Sequence, residues 1–158
     1  MKTELFDEFN GQTIIKEELR IGNFLNNDSR NFNGTIEQWE VKSIGFDKAV
    51  VQNQRGQKVF KYNVLSGIPL TEDWLLKFQF EKVSDVYGGF LSLPNKYGER
   101  VRIRIITTSK GYFYTPSSQS NPIYISYVHE LQNLYFALTK IELKIKDPTY
   151  DNKEMRSL

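Results

Sequence analysis

Arg100-Val101-Arg102-Ile103-Arg104-Ile105-Ile106-Thr107-Thr108 alternates basic and apolar residues before ending in an apolar and threonine run. Successive side chains of a strand point to opposite sheet faces, so Val101, Ile103 and Ile105 make one face and Arg100, Arg102 and Arg104 the other. This pattern predicts a half-buried strand with its apolar side on a core. Upstream, Tyr87 to Leu93 reads as a second strand, joined through a turn at Pro94-Asn95-Lys96-Tyr97-Gly98. Downstream, Ser109-Lys110-Gly111 turns the chain into Tyr112-Phe113-Tyr114, and a Ser/Pro/Asn loop leads to the short strand Ile123-Tyr124-Ile125. The expectation is an antiparallel sheet.

A helix should cover it. Between Tyr127 and Thr139, the residues Val128, Leu131, Leu134, Tyr135 and Leu138 fall on one stripe at helical spacing, with Ser126 positioned as the cap. His129 lies beside that stripe, which predicts a surface or boundary position. Ile141-Glu142-Leu143-Lys144-Ile145 alternates and reads as a closing strand.

The N-terminal half is also strand-rich. Leu19 to Leu25 and Thr35 to Ile44 read as strands, the second with a parity change between Ile36 and Trp39 that suggests a bulge. Lys48 to Gln52 and Gln57 to Val64 form a hairpin turning near Gly56. Together these short strands suggest a small SH3-like barrel or curled sheet. Residues 26–34 are rich in Asn, Asp, Ser and Gly and read as a loop, with Arg30 and Asn31 near its tip. Thr71 is placed to cap a short helix ending by Phe78 or Gln79, with Glu72 and Asp73 in its first turn and Leu70 and Leu75 spaced as a staple. The fold class is therefore α+β. Residues 1–18 are a loosely docked arm, 19–145 a single domain and 146–158 a flexible tail.

The 158 residues are 39% apolar and 25% charged, the balance of a globular chain able to bury a core. Cysteine is absent, which excludes thiolate nucleophiles and sulfur-bound zinc. The acidic N-terminus has no apolar core segment, so no secretory signal is expected, and no stretch is long enough to span a bilayer. A cytoplasmic location follows as the default expectation.

The net charge of +2 conceals a local asymmetry. Lys96, Arg100, Arg102, Arg104 and Lys110 stand against Glu99 alone within residues 96–114. This cluster is the chemically most informative feature. Arginine forks match phosphate oxygens, and Tyr112 and Tyr114 on the following strand could stack on bases. The plainer alternative is a solvated strand face whose charges discourage edge pairing.

Catalysis has little support. A triad would have to recruit the single histidine, His129. The pairs Asp7/Glu8, Glu17/Glu18 and Glu72/Asp73 are sequence neighbours that point in different directions. Gly88-Gly89 lacks the companions of a phosphate loop. A carboxylate metal site would have to gather the scattered Asp28, Asp47, Glu81 and Asp85. The expectation is a binding protein without enzymatic activity, cofactor or metal.

Two stretches carry a resemblance. Ile68-Pro69-Leu70-Thr71-Glu72-Asp73-Trp74-Leu75-Leu76-Lys77-Phe78-Gln79-Phe80 and Tyr127-Val128-His129-Glu130-Leu131-Gln132-Asn133-Leu134-Tyr135-Phe136-Ala137-Leu138-Thr139 resemble signatures of a family of short uncharacterised proteins of bacterial genomes and their phages or prophages. Leu19 to Asn23 looks like that family's opening. Gln79 and Lys140 stand where the family pattern has glycine. The resemblance implies no activity. Its phage context suggests sequestration of a signalling nucleotide as an anti-defence role. The alternatives are a nucleic-acid-binding accessory protein and an inhibitor that covers a host enzyme through exposed aromatics such as Phe32, Tyr97 or Tyr112. A homo-oligomer enclosing its ligand fits the first reading; no membrane partner is expected.

Overall fold

A computed structural model describes residues 14, 16–27, 36–83, 90–94, 100–108, 111–114 and 121–145. The protein is α+β, and its chain divides into two compact units, residues 1–69 and 70–158.

The first unit is an antiparallel sheet of β1 (Phe24–Asn27), β2 (Glu37–Ile44), β3 (Lys48–Asn53), β4 (Gly56–Lys61) and β5 (Leu65–Gly67). The strand order is β4-β3-β2-β1-β5. Both β4 and β5 are edges, and the described strands do not close into a barrel. Alternation puts Leu25, Trp39, Val41, Ala49 and Val51 on one face, where they pack with Ile14, Leu19 and Leu65. Phe60 meets the Trp39 ring edge-on at 5.5 Å, and the Lys58 ammonium lies 5.1 Å from the centre of that ring. Ile14 belongs to the segment read as a loose arm, yet it is buried and its N–H donates to the Leu65 carbonyl.

Turn chemistry moves two boundaries from their expected positions. Residues 20–23 turn instead of extending: the Asn23 side chain accepts the Arg20 N–H at 2.7 Å, and Gly22 takes φ 93°. The first strand therefore begins at Phe24 and runs into Asn26 and Asn27, which the sequence reading assigned to a loop. The bulge in β2 falls between Val41 and Ser43, after Trp39 instead of before it. The β3–β4 hairpin turns at Gln54-Arg55 and Gly56, whose φ of 127° only glycine adopts readily.

The second unit starts with α1 (Glu72–Lys77), capped as expected by Thr71, whose hydroxyl accepts the Trp74 N–H. Leu70 and Leu75 are both buried, as a staple requires. The helix ends in a Schellman turn. Phe80 N–H donates to Leu75 C=O at 3.0 Å and Gln79 N–H to Leu76 C=O at 2.9 Å, while Gln79 adopts φ 67°. Phe80 and Leu75, the two positions at which that motif favours apolar residues, are both buried.

Five strands follow as an antiparallel meander: β6 (Glu81–Val83), β7 (Phe90–Pro94), β8 (Arg100–Thr108), β9 (Gly111–Tyr114) and β10 (Ile123–Ile125). Their order is β10-β9-β8-β7-β6. The sequence reading missed β6.

The last helix, α2 (Val128–Thr139), starts one residue later than expected. Ser126 does not cap it. Instead the Glu130 carboxylate accepts the N–H groups of Ser126 at 2.7 Å and Tyr127 at 3.0 Å. The buried face comprises Val128, His129, Leu131, Gln132 and Tyr135, rotated from the predicted stripe; Leu134 is half-buried and Leu138 is 46% exposed. Gln132 belongs inside because its amide donates to the Leu143 carbonyl, holding the segment after the helix against it. That segment is irregular, not a strand. The reason is at Lys140, which adopts φ 59° and donates its N–H to Phe136 C=O, a left-handed stop that redirects the chain.

Candidate functional site

The basic residues of the site sit on β8, the middle strand of the second sheet. β7 runs along one side, pairing Pro94 with Arg100, Ser92 with Arg102 and Phe90 with Arg104. β9 runs along the other, pairing Arg104 with Phe113 and Ile103 with Tyr114. The register shifts between Arg104 and Thr108, which pairs with Gly111. On β10, Tyr124 pairs with Phe113 and Ile125 with Tyr112.

Directly paired residues of antiparallel strands occupy the same face. The arginine positions 100, 102 and 104 therefore share a face with Phe113 and Tyr124, and one cross-strand row runs Phe90, Arg104, Phe113, Tyr124. Tyr114 falls on the opposite face with Ile103, and Tyr112 falls there with Ile125. The register thus separates the six expected ligand residues. Positions 100, 102 and 104 fall on one face and positions 112 and 114 on the other, while Lys110 lies outside the described residues.

Tyr112 has work on its own face. It lies beside Glu72, the first residue of α1. Burial holds the phenol above the ordinary tyrosine range, and the Glu72 carboxylate adds to the effect with a smaller share from Asp73. Glu72 is also paired with the Lys82 ammonium. The face carrying Tyr112 is thus packed at Ile125, while Ile123, on the same face at the start of β10, is 48% exposed. On the arginine face, Phe113 is buried and Tyr124 is 54% exposed, their rings meeting edge-on at 5.9 Å.

Sequence reasoning missed Tyr124 because a face assignment depends on register, and the register depends on the length of the turn near Ser109. Adjacent residues on a three-strand ribbon look equivalent until that turn is known.

His129 is 2% exposed, contrary to the expected boundary position. The rotation of α2 brings it inside, and Tyr127 stacks on it with ring centres 5.8 Å apart and planes 21° from parallel. A histidine enclosed in this way is a packing element. Among the described residues no group of three or more His, Asp or Glu could hold a metal ion. Asp28, Asp85, Arg30, Asn31 and the Gly88-Gly89 pair lie outside the described residues.

A separate surface feature occurs in the first unit. Phe46, between β2 and β3, is 91% exposed. The turn that carries it is fixed from both ends. Gly45 N–H donates to Lys48 C=O at 2.8 Å, and the Tyr62 hydroxyl is shared between the carbonyls of Gly45 at 2.9 Å and Lys48 at 3.1 Å. A Cβ at Gly45 would meet the Lys48 oxygen at 2.9 Å, so the tight turn needs glycine there. The Tyr62 phenol is held above its ordinary range by burial, then by the Asp47 and Glu17 carboxylates. Of the aromatics expected to form an exposed patch, Tyr112 is half-buried, and Phe32 and Tyr97 lie outside the described residues.

No helix among the described residues is long and apolar enough to cross a membrane. No protein-family model, curated protein or solved structure matches this chain.

Proposed function

We propose that the protein binds a phosphate-bearing ligand without transforming it, a signalling nucleotide ahead of a nucleic acid. The observation that carries this reading is the arginine row of β8. β7 pairs with all three arginine positions in continuous register and β9 with position 104, so Arg100, Arg102 and Arg104 recur on one face at about 7 Å intervals. Arginine positions at this spacing on a strand suit a ligand with two or three phosphates. A net charge of only +2 for the whole chain disfavours the broad basic track that long nucleic acids use. The resemblance to phage and prophage proteins fits sequestration of a host signal in the cytoplasm, with an oligomer enclosing the ligand. The first sheet is a curled SH3-like unit in this reading.

Calorimetric titration with cyclic di- and trinucleotides, beside a short single-stranded DNA at two salt concentrations, tests the proposal. Tight and weakly salt-dependent binding of one small nucleotide is expected, with the nucleotide recovered intact after incubation with magnesium or manganese. Steep salt dependence with DNA would favour the nucleic-acid reading, because counterion release scales with the phosphates contacted. Unchanged affinity in the Arg102→Ala, Arg104→Ala double variant would overturn the assignment of the surface.

The exposed Phe46 favours a second reading, in which the protein covers a host protein through this fixed turn. Under that reading, a partner captured from host lysate by the wild-type protein is lost on Phe46→Ser and retained by the double arginine variant.

A further inference from the structure

We infer that Tyr124, and not Tyr112 or Tyr114, is the aromatic platform for the base of a nucleotide whose phosphates lie along the β8 arginines; this rests on the ligand reading proposed above. Three observations converge on it. First, the register sets Tyr124 in the same cross-strand row as Arg104, through Phe113. Two strand spacings separate Tyr124 from Arg104, about 10 Å, a span that a nucleotide bridges with its base at one end and a phosphate at the other. Secondly, the ring is accessible and held. More than half of Tyr124 is open to solvent, while the edge-on contact with the buried Phe113 ring, its cross-strand neighbour on the same face, supports it from one side. A supported ring loses little freedom when a base stacks on it, which favours binding. Thirdly, the other two tyrosines are on the opposite face, where both are half-buried.

Tyr124 also sits on β10, the outer of the described strands of its sheet, so among the described residues no further strand lies beyond its ring. The occupant is specified by the row itself: cationic positions on one strand and an open aromatic ring two strands away call for an anion carrying a flat ring. A purely apolar partner would leave the arginine positions unmatched.

The test compares two probes, a cyclic dinucleotide and inorganic tripolyphosphate, which carries phosphates but no base. Titrations use the full-length protein, Tyr124→Ala, Tyr124→Phe, Tyr114→Ala, and the Arg102→Ala, Arg104→Ala double variant. Tyr124→Ala should weaken cyclic dinucleotide binding by about ten- to a hundred-fold and leave tripolyphosphate binding as it was, since base stacking is what the substitution removes. Retained tripolyphosphate binding also shows that the variant is folded. Tyr124→Phe should keep nucleotide affinity because it keeps the ring, and Tyr114→Ala should be silent. If the arginine variant loses both probes while Tyr124→Ala binds the nucleotide normally, the platform assignment is wrong and the phosphate site stands. If Tyr124→Phe binds as poorly as Tyr124→Ala, the hydroxyl is the recognised group and stacking is overturned. If the wild type binds neither probe, or the arginine variant binds both unchanged, the ligand reading and the inference fall together.

Discussion

Two residues hold a backbone conformation that suits glycine better. Gln79 has φ 67° in the Schellman turn of α1, and Lys140 has φ 59° at the end of α2. A Cβ in the left-handed region costs roughly 1–2 kcal/mol. Part of that is returned by the larger freedom glycine regains in the unfolded chain. Gln79→Gly and Lys140→Gly should therefore each raise stability by about 0.5–1 kcal/mol, read as a gain of a few degrees in thermal midpoint. Lys140→Gly gains less, because it removes the ammonium lying 5.7 Å from the Phe136 ring centre. Two tyrosines make a second residue-scale expectation. Tyr62 and Tyr112 both have raised pKa values, so the folded state favours their neutral forms. Their contribution is fully present below the unfolded value of about 10 and is lost as pH rises from there through the folded values. Denaturant titrations across the alkaline range should show stability falling with pH, less steeply in Tyr62→Phe and Tyr112→Phe. An equal slope in wild type and variants would remove both groups from the account.

At the scale of elements, α2 makes the sharpest comparison. Leu131 is fully buried whereas Leu138 is 46% exposed, although both lie on the apolar stripe visible in the sequence. Leu131→Ala should cost about 2–5 kcal/mol, while Leu138→Ala should stay within about 0.5 kcal/mol. Equal costs measured by denaturation would mean that the stripe, and not the rotated face, meets the core. The existence of α2 was legible from periodicity, but its rotation was not, because Gln132 earns its interior position through a carbonyl eleven residues further on. The short helix α1 was legible almost to the residue, since caps and staples are local chemistry: Thr71, Leu70 and Leu75 act within two turns. The strand at Leu19 failed for the same local reason, an Asn23 side chain that closes a turn with Arg20. On β8 the alternation was fully readable, and which aromatic residues accompany the arginines was not. That depended on register across β9 and β10, a non-local property.

For the molecule as a whole, the two sheets differ in how far along the chain their partners lie. Among the described residues, every strand of the second sheet pairs only with its neighbours in sequence. In the first sheet, β1 pairs with β5, so β2, β3 and β4 must be spanned before that edge forms. This difference has a consequence in time. Closing a long loop costs entropy before any contact repays it, and chains rich in local contacts fold faster. The β1–β5 pairing should thus be a late event, made after the barrier to forming the β2–β3–β4 meander is crossed. Leu65, fully buried on β5, reports on it. In stopped-flow experiments Leu65→Ala should speed unfolding and leave the refolding rate nearly unchanged, whereas Val51→Ala on β3 should slow refolding. The last strand to dock is then also the first to leave, which makes β5 the point from which the first unit comes apart.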